Sequence, residues 1–390
     1  MSTPQVVVAM DWGGTWTRTA VIDRQGEILW QAREPNPQNG TKEEYLSNAE
    51  KLLSNAIQQA GGPVAGIGAA VAGPVEPTTG TFFQPPNLMV LDGISFKALW
   101  EEAFQVPVWV GNDANLAALG EHYFGAGKES ADKGHPVKTL FYVTVSTGVG
   151  GGVVDKGSVF LGANGLTAEI GHTMVDTTVD ALQCQCGARG CLEAIASGTG
   201  IERIAKQKLA SGGFPDSALA ALDAGLVDSE AVCDAAEKKD SLALSILEGA
   251  VSALAVGLTN VVHLFNPDMI VLGGGVTDGL VKLDLLPEID RQIRDRAMSE
   301  LHKEFQLTSA RLGDSVGLAG AAALVWDQLG VERSPQNPRV RRLKDVAATH
   351  DVYAVPGDVA GLVRGEEQAG VGDVLHGGLA AHGNLFQVLT

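Results

Sequence analysis

Val6-Val7-Val8-Ala9-Met10-Asp11-Trp12-Gly13-Gly14-Thr15-Trp16-Thr17-Arg18-Thr19-Ala20-Val21-Ile22 is the stretch that decides the fold class. Its first four residues are an unbroken apolar run, the pattern of a strand buried on both faces. Asp11 to Thr15 makes a tight turn, and Thr17 to Ile22 returns as a second strand. Arg24-Gln25-Gly26 turns again into Glu27–Trp30, completing an antiparallel meander. The arrangement recurs far along the chain. Leu140–Val145 reads as a strand, Ser146-Thr147-Gly148-Val149-Gly150 as a small-residue turn, and Val153-Val154 as a return strand. The repetition predicts a duplicated α/β architecture with one phosphate-facing turn in each half.

Between and beyond these units the signals stay α/β. Thr41-Lys42-Glu43-Glu44 is a capping-box pattern, and Tyr45, Leu46, Ala49, Leu52, Leu53, Ile57 and Ala60 share one helical face before Gly61-Gly62. Ala65–Val71 is a further buried strand. Pro107–Val110 leads through Gly111-Asn112-Asp113 into a helix over Ala114–Tyr123. Residues 200–262 read as mostly helical, and Met269–Leu272 is a strand running into Gly273-Gly274-Gly275. Gly317-Leu318-Ala319-Gly320 belongs to a closely packed helix. Gly249–Phe265 lacks charge, but Ser252, Thr259, Asn260 and His263 make it a buried core helix rather than a membrane span.

The chain has 390 residues and a hydrophobic fraction of 45%, enough for two cores. Its 46 acidic and 28 basic side chains give a net charge of −18, which disfavours nucleic acid as a partner. Anionic small molecules stay allowed, because backbone amides bind phosphate whatever the global charge. Met1-Ser2-Thr3-Pro4-Gln5 has neither a basic region nor an apolar signal core, so a cytoplasmic protein is expected.

Three glycine turns follow buried strands, at Gly13-Gly14, Gly148 and Gly273 to Gly275. Glycine lets backbone amides approach phosphate oxygens closely. None is a Walker loop, and none has the dinucleotide fingerprint in its strand-to-helix setting. Asp11 reads either as a Mg²⁺ holder acting through water or as a turn stabiliser. Asp113 reads either as a general base for a hydroxyl or as a helix N-cap, with Asn112 beside it as a hydroxyl partner.

Cys184-Gln185-Cys186-Gly187-Ala188-Arg189-Gly190-Cys191-Leu192-Glu193 follows Glu169-Ile170-Gly171-His172. Three thiols and an imidazole suit tetrahedral zinc, and the glycines let the loop fold back on one ion. Free thiols or a disulfide are the alternatives, disfavoured by the absence of a secretory signal. Cys233 stands alone in a helical segment as a small core residue.

Taken in order, Asp11–Thr15, Gly111–Asn115, Ser146–Gly152, Glu169–His172, Cys184–Glu193 and Gly273–Gly275 resemble the ROK family of sugar kinases and repressors. The resemblance runs from about Val6 to Leu329. It implies a two-lobed actin-like ATPase (ribonuclease H-like) fold, each lobe a mixed sheet flanked by helices, with the active-site cleft between them. The lobes implied are 1–115, completed by the helix near 317–330, and 116–316 with the zinc knuckle; 334–390 is an extension of no assigned role. Structural Zn²⁺ would lie on His172, Cys184, Cys186 and Cys191. Asn87, Asn112, Asp113, Glu169, His172 and Glu193 would bind the sugar, with Asp113 as the base. ATP with Mg²⁺ would meet Asp11, Gly13, Gly14, Thr15, Thr147 and Gly148, with adenosine near Gly273, Gly274 and Gly275. Trp16 departs from the polar residue usual after that first turn.

The activity implied is phosphorylation of a hexose at its 6-hydroxyl, glucose first, by a homodimer with no membrane partner. The alternatives are kinases for fructose, N-acetylglucosamine or N-acetylmannosamine, or a sugar-responsive regulator. A regulator would need a DNA-binding module ahead of the first strand, and none is expected there.

Overall fold

The computed structural model describes residues 5–37 and 39–330. The linker expected at Ser334–Pro338, the basic residues Arg339, Arg341, Arg342 and Lys344, and the extension 334–390 lie outside the described residues.

Strands β1 (Val6–Trp12), β2 (Trp16–Asp23) and β3 (Ile28–Pro35) form the expected antiparallel meander. Helix α1 (Lys42–Gln59) returns the chain to β4 (Val64–Val71), parallel to β1. A small hairpin, β5 (Val75–Glu76) with β6 (Thr81–Phe82), and helix α2 (Lys97–Phe104) precede β7 (Val108–Asn112). The first sheet has the order β3-β2-β1-β4-β7.

Helices α3 (Asp113–Tyr123) and α4 (Ala126–Asp132) lead to the second meander: β8 (Thr139–Val145), β9 (Val149–Asp155) and β10 (Ser158–Val159). Then come α5 (Leu192–Ala196), α6 (Gly198–Ala210), α7 (Ser229–Glu237) and α8 (Ser241–Phe265). Strand β11 (Met269–Gly273), helices α9 (Gly275–Lys282) and α10 (Leu286–Arg296), strand β12 (Gln306–Ser309) and helix α11 (Val316–Gln328) complete the order. The second sheet runs β10-β9-β8-β11-β12, with β11 parallel to both β8 and β12. Order and direction match the first sheet strand for strand, so the duplication read from two turns extends to both sheets.

Period-two alternation explains the layers. In β1, Val7 and Ala9 face one core, while Val8, Met10 and Trp12 face another that includes α1 and α2 residues. In β8, Leu140 and Tyr142 share the core of Val7, while Phe141, Val143 and Val145 join the core of α5 to α10. Helix α11 packs on the first sheet, α3 on the second, and the two helices pack on each other. Their contact is backbone on backbone: a Cβ on Gly120 would lie 2.9 Å from the Gly320 nitrogen, and one on Gly320 would overlap the Leu116 carbonyl.

The α1 capping box forms as read, with Thr41 and Glu44 bonding reciprocally. The uncharged segment is part of α8, whose most apolar window is 67% buried, so it is a core helix. Several elements go beyond the expectation, among them the β5–β6 hairpin, α2, α4 and β10. Strand β3 continues past Trp30 to Pro35 because its alternate residues remain half-buried along an edge. Strand β12 was not expected; Gln306-Leu307-Thr308-Ser309 is mostly polar and is held by parallel pairing to β11.

Fully buried Glu121, near the end of α3, accepts the backbone N–H groups of Ala126, Arg311 and Leu312 at 2.8–2.9 Å. It fastens the far end of α3 to the chain entering α11, which fixes the direction of the helix that begins with Asp113.

Candidate active site

Helix α3 starts where β7 ends, so Asn112 and Asp113 sit at the strand-to-helix junction. Asn112 is the N-cap: its side-chain oxygen accepts from Ala114 N at 3.0 Å and Asn115 N at 3.2 Å. Asp113 is therefore the first helical residue rather than the cap, and its Oδ1 accepts Ala114 N at 2.8 Å. With its oxygen committed, Asn112 keeps an amide donor for a ligand, now 3.4 Å from the Gly73 carbonyl.

Asp113 has its pKa pushed up to about 6, chiefly by burial. The Ala114 amide opposes the shift, the Asp11 charge adds to it, Asn112 opposes it, and Glu169 adds to it. Asp11 is likewise raised to about 6 by burial, with Arg18 opposing. Arg18 Nη1 lies 3.9 Å from Asp11 Oδ2, on the residue directly opposite in the β1–β2 ladder, and donates to the Asp314 carbonyl at 2.7 Å. Glu169 is raised by desolvation, lowered by His172 and raised by Glu193. Residues from β1, α3 and the 169–172 loop thus form one electrostatic group.

Each glycine turn is braced by a side chain. Buried Asn36 donates to the carbonyls of Gly13 at 2.6 Å and Gly14 at 3.1 Å, and accepts the Thr17 hydroxyl. A Cβ on Gly14 would lie 2.6 Å from Asn87 Cβ, so the Pro85–Leu88 segment rests on this turn. In the second turn, Val149 N donates to Glu193 Oε2 at 2.9 Å, and Thr199 Oγ1 donates to the Thr147 carbonyl at 2.9 Å. In the third, buried Thr277 donates to the Gly273 carbonyl at 2.8 Å, Gly274 has φ +92°, and Gly275 faces open space. Thr15 and Thr147 are exposed, one at each of the first two turns.

The donor atoms of His172, Cys184, Cys186 and Cys191 all lie within 4.8 Å of one another. Cys186 Sγ and Cys191 Sγ are 3.7 Å apart, and Cys184 Sγ is 3.8 Å from His172 Nδ1. Tetrahedral zinc with bonds of about 2.3 Å to sulfur needs sulfur–sulfur edges of about 3.8 Å. The donor set and its spacing therefore fit a four-coordinate ion with no open position. Gly187 and Gly190 turn the loop at φ +95° and +74°. Among the described residues no disulfide forms, and Cys233 is a buried residue packed against Gly279.

The sequence profile of the ROK family matches residues 7–328. The chain belongs to the ROK family. It is 33% identical over 332 residues to a glucokinase of Halalkalibacterium halodurans, covering 82% of this chain and 95% of that one. It is 31% identical to the DNA-binding transcriptional dual regulator NagC of Escherichia coli, covering 78% of this chain and 71% of that one. A ROK family glucokinase from Streptomyces griseus, solved in complex with glucose and AMPPNP, aligns with a TM-score of 0.65 and 30% identity, covering 82% and 98% of the two chains. The fold is thus that of the ROK kinases, within the actin-like ATPase class.

Sequence reasoning about this ROK chain missed Arg18, Asn36, Thr199 and Thr277. Asn36 lies just past the end of β3, and its partners Thr17, Gly14 and Gly13 are 19 to 23 positions away. Removing it is informative. Asn36→Ala should cost about 1–3 kcal/mol, because two part-buried carbonyls and the buried Thr17 hydroxyl lose their partner. A denaturant midpoint equal to that of the wild type would contradict this bracing role.

Proposed function

We propose that this ROK-family hexose kinase transfers the terminal phosphoryl group of ATP to the 6-hydroxyl of glucose, with Asp113 as general base. The observation that carries the reading is the position of Asp113: the start of α3, with its proton affinity raised by burial and by Asp11 and Glu169. A carboxylate with a pKa near 6 is ionised at neutral pH yet basic enough to take a hydroxyl proton as the bond to phosphorus forms. Phosphoryl transfer otherwise rests on positioning and charge neutralisation. The braced turns at Gly13-Gly14 and Thr147-Gly148 would hold the phosphates, and Gly273 to Gly275 the adenosine. Mg²⁺ would be held by Asp11, through water, and would neutralise the donor phosphates.

Asn87, the Asn112 amide, Glu169, His172 and Glu193 would bind the remaining sugar hydroxyls. A site built from such groups discriminates strongly, because a missing hydroxyl leaves a buried partner unpaired. Zinc on the Cys3His set would lock the loop and orient His172; with Nδ1 toward the metal, Nε2 is left for the sugar. The homodimer and the lobe limits at 115/116 and 316/317 belong to the same proposal, the former testable by sedimentation.

Two experiments test it. Initial rates with glucose, mannose, fructose, N-acetylglucosamine and N-acetylmannosamine should give glucose the highest kcat/KM; a higher value for an N-acetylhexosamine would replace glucose as the substrate. Metal analysis should find one zinc per chain, and Cys184→Ser should lose it and raise the glucose KM by about tenfold or more. Wild-type protein free of zinc would refute the metal assignment.

A further inference from the structure

The second glycine turn is shaped mainly by residues that follow the cysteine knuckle. Cys191 is the N-cap of α5, and Glu193 is the second residue of that helix. One carboxylate oxygen of Glu193 takes the Val149 N–H at 2.9 Å; the other lies 3.9 Å from Cys184 Sγ. Gly148 is pressed against the same side chain, since a Cβ there would lie 2.7 Å from Glu193 Oε2. The start of α6 grips the turn from its other side: Gly198 N donates to the Ser146 carbonyl at 2.7 Å, and Thr199 donates to the Thr147 carbonyl through its backbone at 3.3 Å and its hydroxyl at 2.9 Å. Arg203 joins the two halves of this unit, donating to the Gln183 carbonyl in the knuckle at 2.6 Å and the Ala194 carbonyl in α5 at 2.9 Å.

The first turn has a different support, its carbonyls being held by Asn36. We propose that the knuckle metal sets the shape of the Ser146–Gly150 turn through Glu193, Gly198 and Thr199, so that metal occupancy controls nucleotide-phosphate affinity as well as sugar affinity. The proposal rests on the reading of Thr147-Gly148 as a phosphate contact. Its physical basis is pre-organisation. A turn whose amides already point at a ligand loses less freedom on binding than one that must be ordered. Loss of the ion would free Cys184 and Cys191, let α5 shift, and release the Val149 amide from Glu193.

The test compares zinc-loaded and chelator-stripped protein by hydrogen exchange and by titration with AMPPNP, alongside Thr199→Val and Thr147→Ala in the zinc-loaded form. Stripping should speed amide exchange over 145–150 while leaving 11–16 unchanged. It should also weaken AMPPNP binding by about tenfold, the loss of one good interaction. Thr199→Val, whose hydrogen bonds go to Thr147 and not to a metal ligand or a proposed sugar contact, should weaken AMPPNP several-fold with glucose affinity unchanged. Unchanged exchange over 145–150 on stripping would overturn the coupling. Normal AMPPNP affinity in Thr199→Val and in stripped protein, with a loss in Thr147→Ala, would also overturn it while sparing the phosphate reading. Normal affinity in all three would overturn the phosphate reading itself.

Discussion

Asp113→Asn lowers kcat by about 10²–10⁴-fold, the usual contribution of a general base, while glucose affinity stays near that of the wild type. The substitution keeps shape and keeps an oxygen for the Ala114 amide, so the start of α3 is preserved. What it removes is the ability to accept a proton. The wild-type kcat/KM should fall as pH drops through about 6, where Asp113 of the free protein becomes protonated. The residual activity of the variant should lack that inflection, apart from any contribution of Asp11, which titrates in the same range. Stability should move the other way. The folded pKa is raised from 3.8 to about 6, so the unfolded chain gives up this proton first. Folding therefore loses stability as pH rises from about 4 to about 6, and the loss persists at neutral pH. Asp113→Asn escapes this penalty and should raise Tm at pH 7, a trade of stability for activity. Near-normal turnover in the variant would remove Asp113 from its role as base.

The second large effect concerns the crossing of α3 and α11. In Gly320→Ala the new methyl is driven into the Leu116 backbone, and the neighbouring Gly120 already approaches the Gly320 nitrogen. Backbone cannot swing aside as a side chain can, so the helices must separate. We expect a loss of about 3 kcal/mol, the upper range for overpacking, despite the better helix propensity of alanine. Because α3 begins at Asp113, kcat should fall as well. Gly249→Ala is the matching control: an exposed position within α8 with nothing near its Cβ. It should gain up to about 1 kcal/mol. A denaturant midpoint for Gly320→Ala within experimental scatter of the wild type would show that the crossing is looser than described.

Local rules made much of the fold legible. The apolar run at Val6–Ala9, the Thr41 capping box and the glycine turns each need only a few consecutive residues, and the repeated strand–turn–strand unit foretold two sheets of one topology. β12 was invisible because four half-polar residues carry no pattern until β11 lies beside them. Of the candidate site, residue types and spacing brought out the cysteine cluster and the Asn112-Asp113 pair. The division of labour within that pair was not legible, since capping by Asn112 or by Asp113 looks the same in sequence. Arg18 binds the Asp314 carbonyl across 296 positions, and Asn36 reaches back to a turn more than twenty residues earlier. Such contacts depend on the completed sheet and helix layers, so no short window contains them. Glu193 gave a different lesson. It was read only as a sugar ligand, yet one of its oxygens already holds the Val149 amide.

The most direct test of the account is the product formed from uniformly ¹³C-labelled glucose, ATP and Mg²⁺ with the pure protein, followed by nuclear magnetic resonance. The account predicts a single product whose C6 signal shifts and couples to phosphorus, formed in step with ADP. Glucose that binds but stays unmodified, with ATP intact, would contradict it and leave a sugar-sensing ROK protein in place of a kinase.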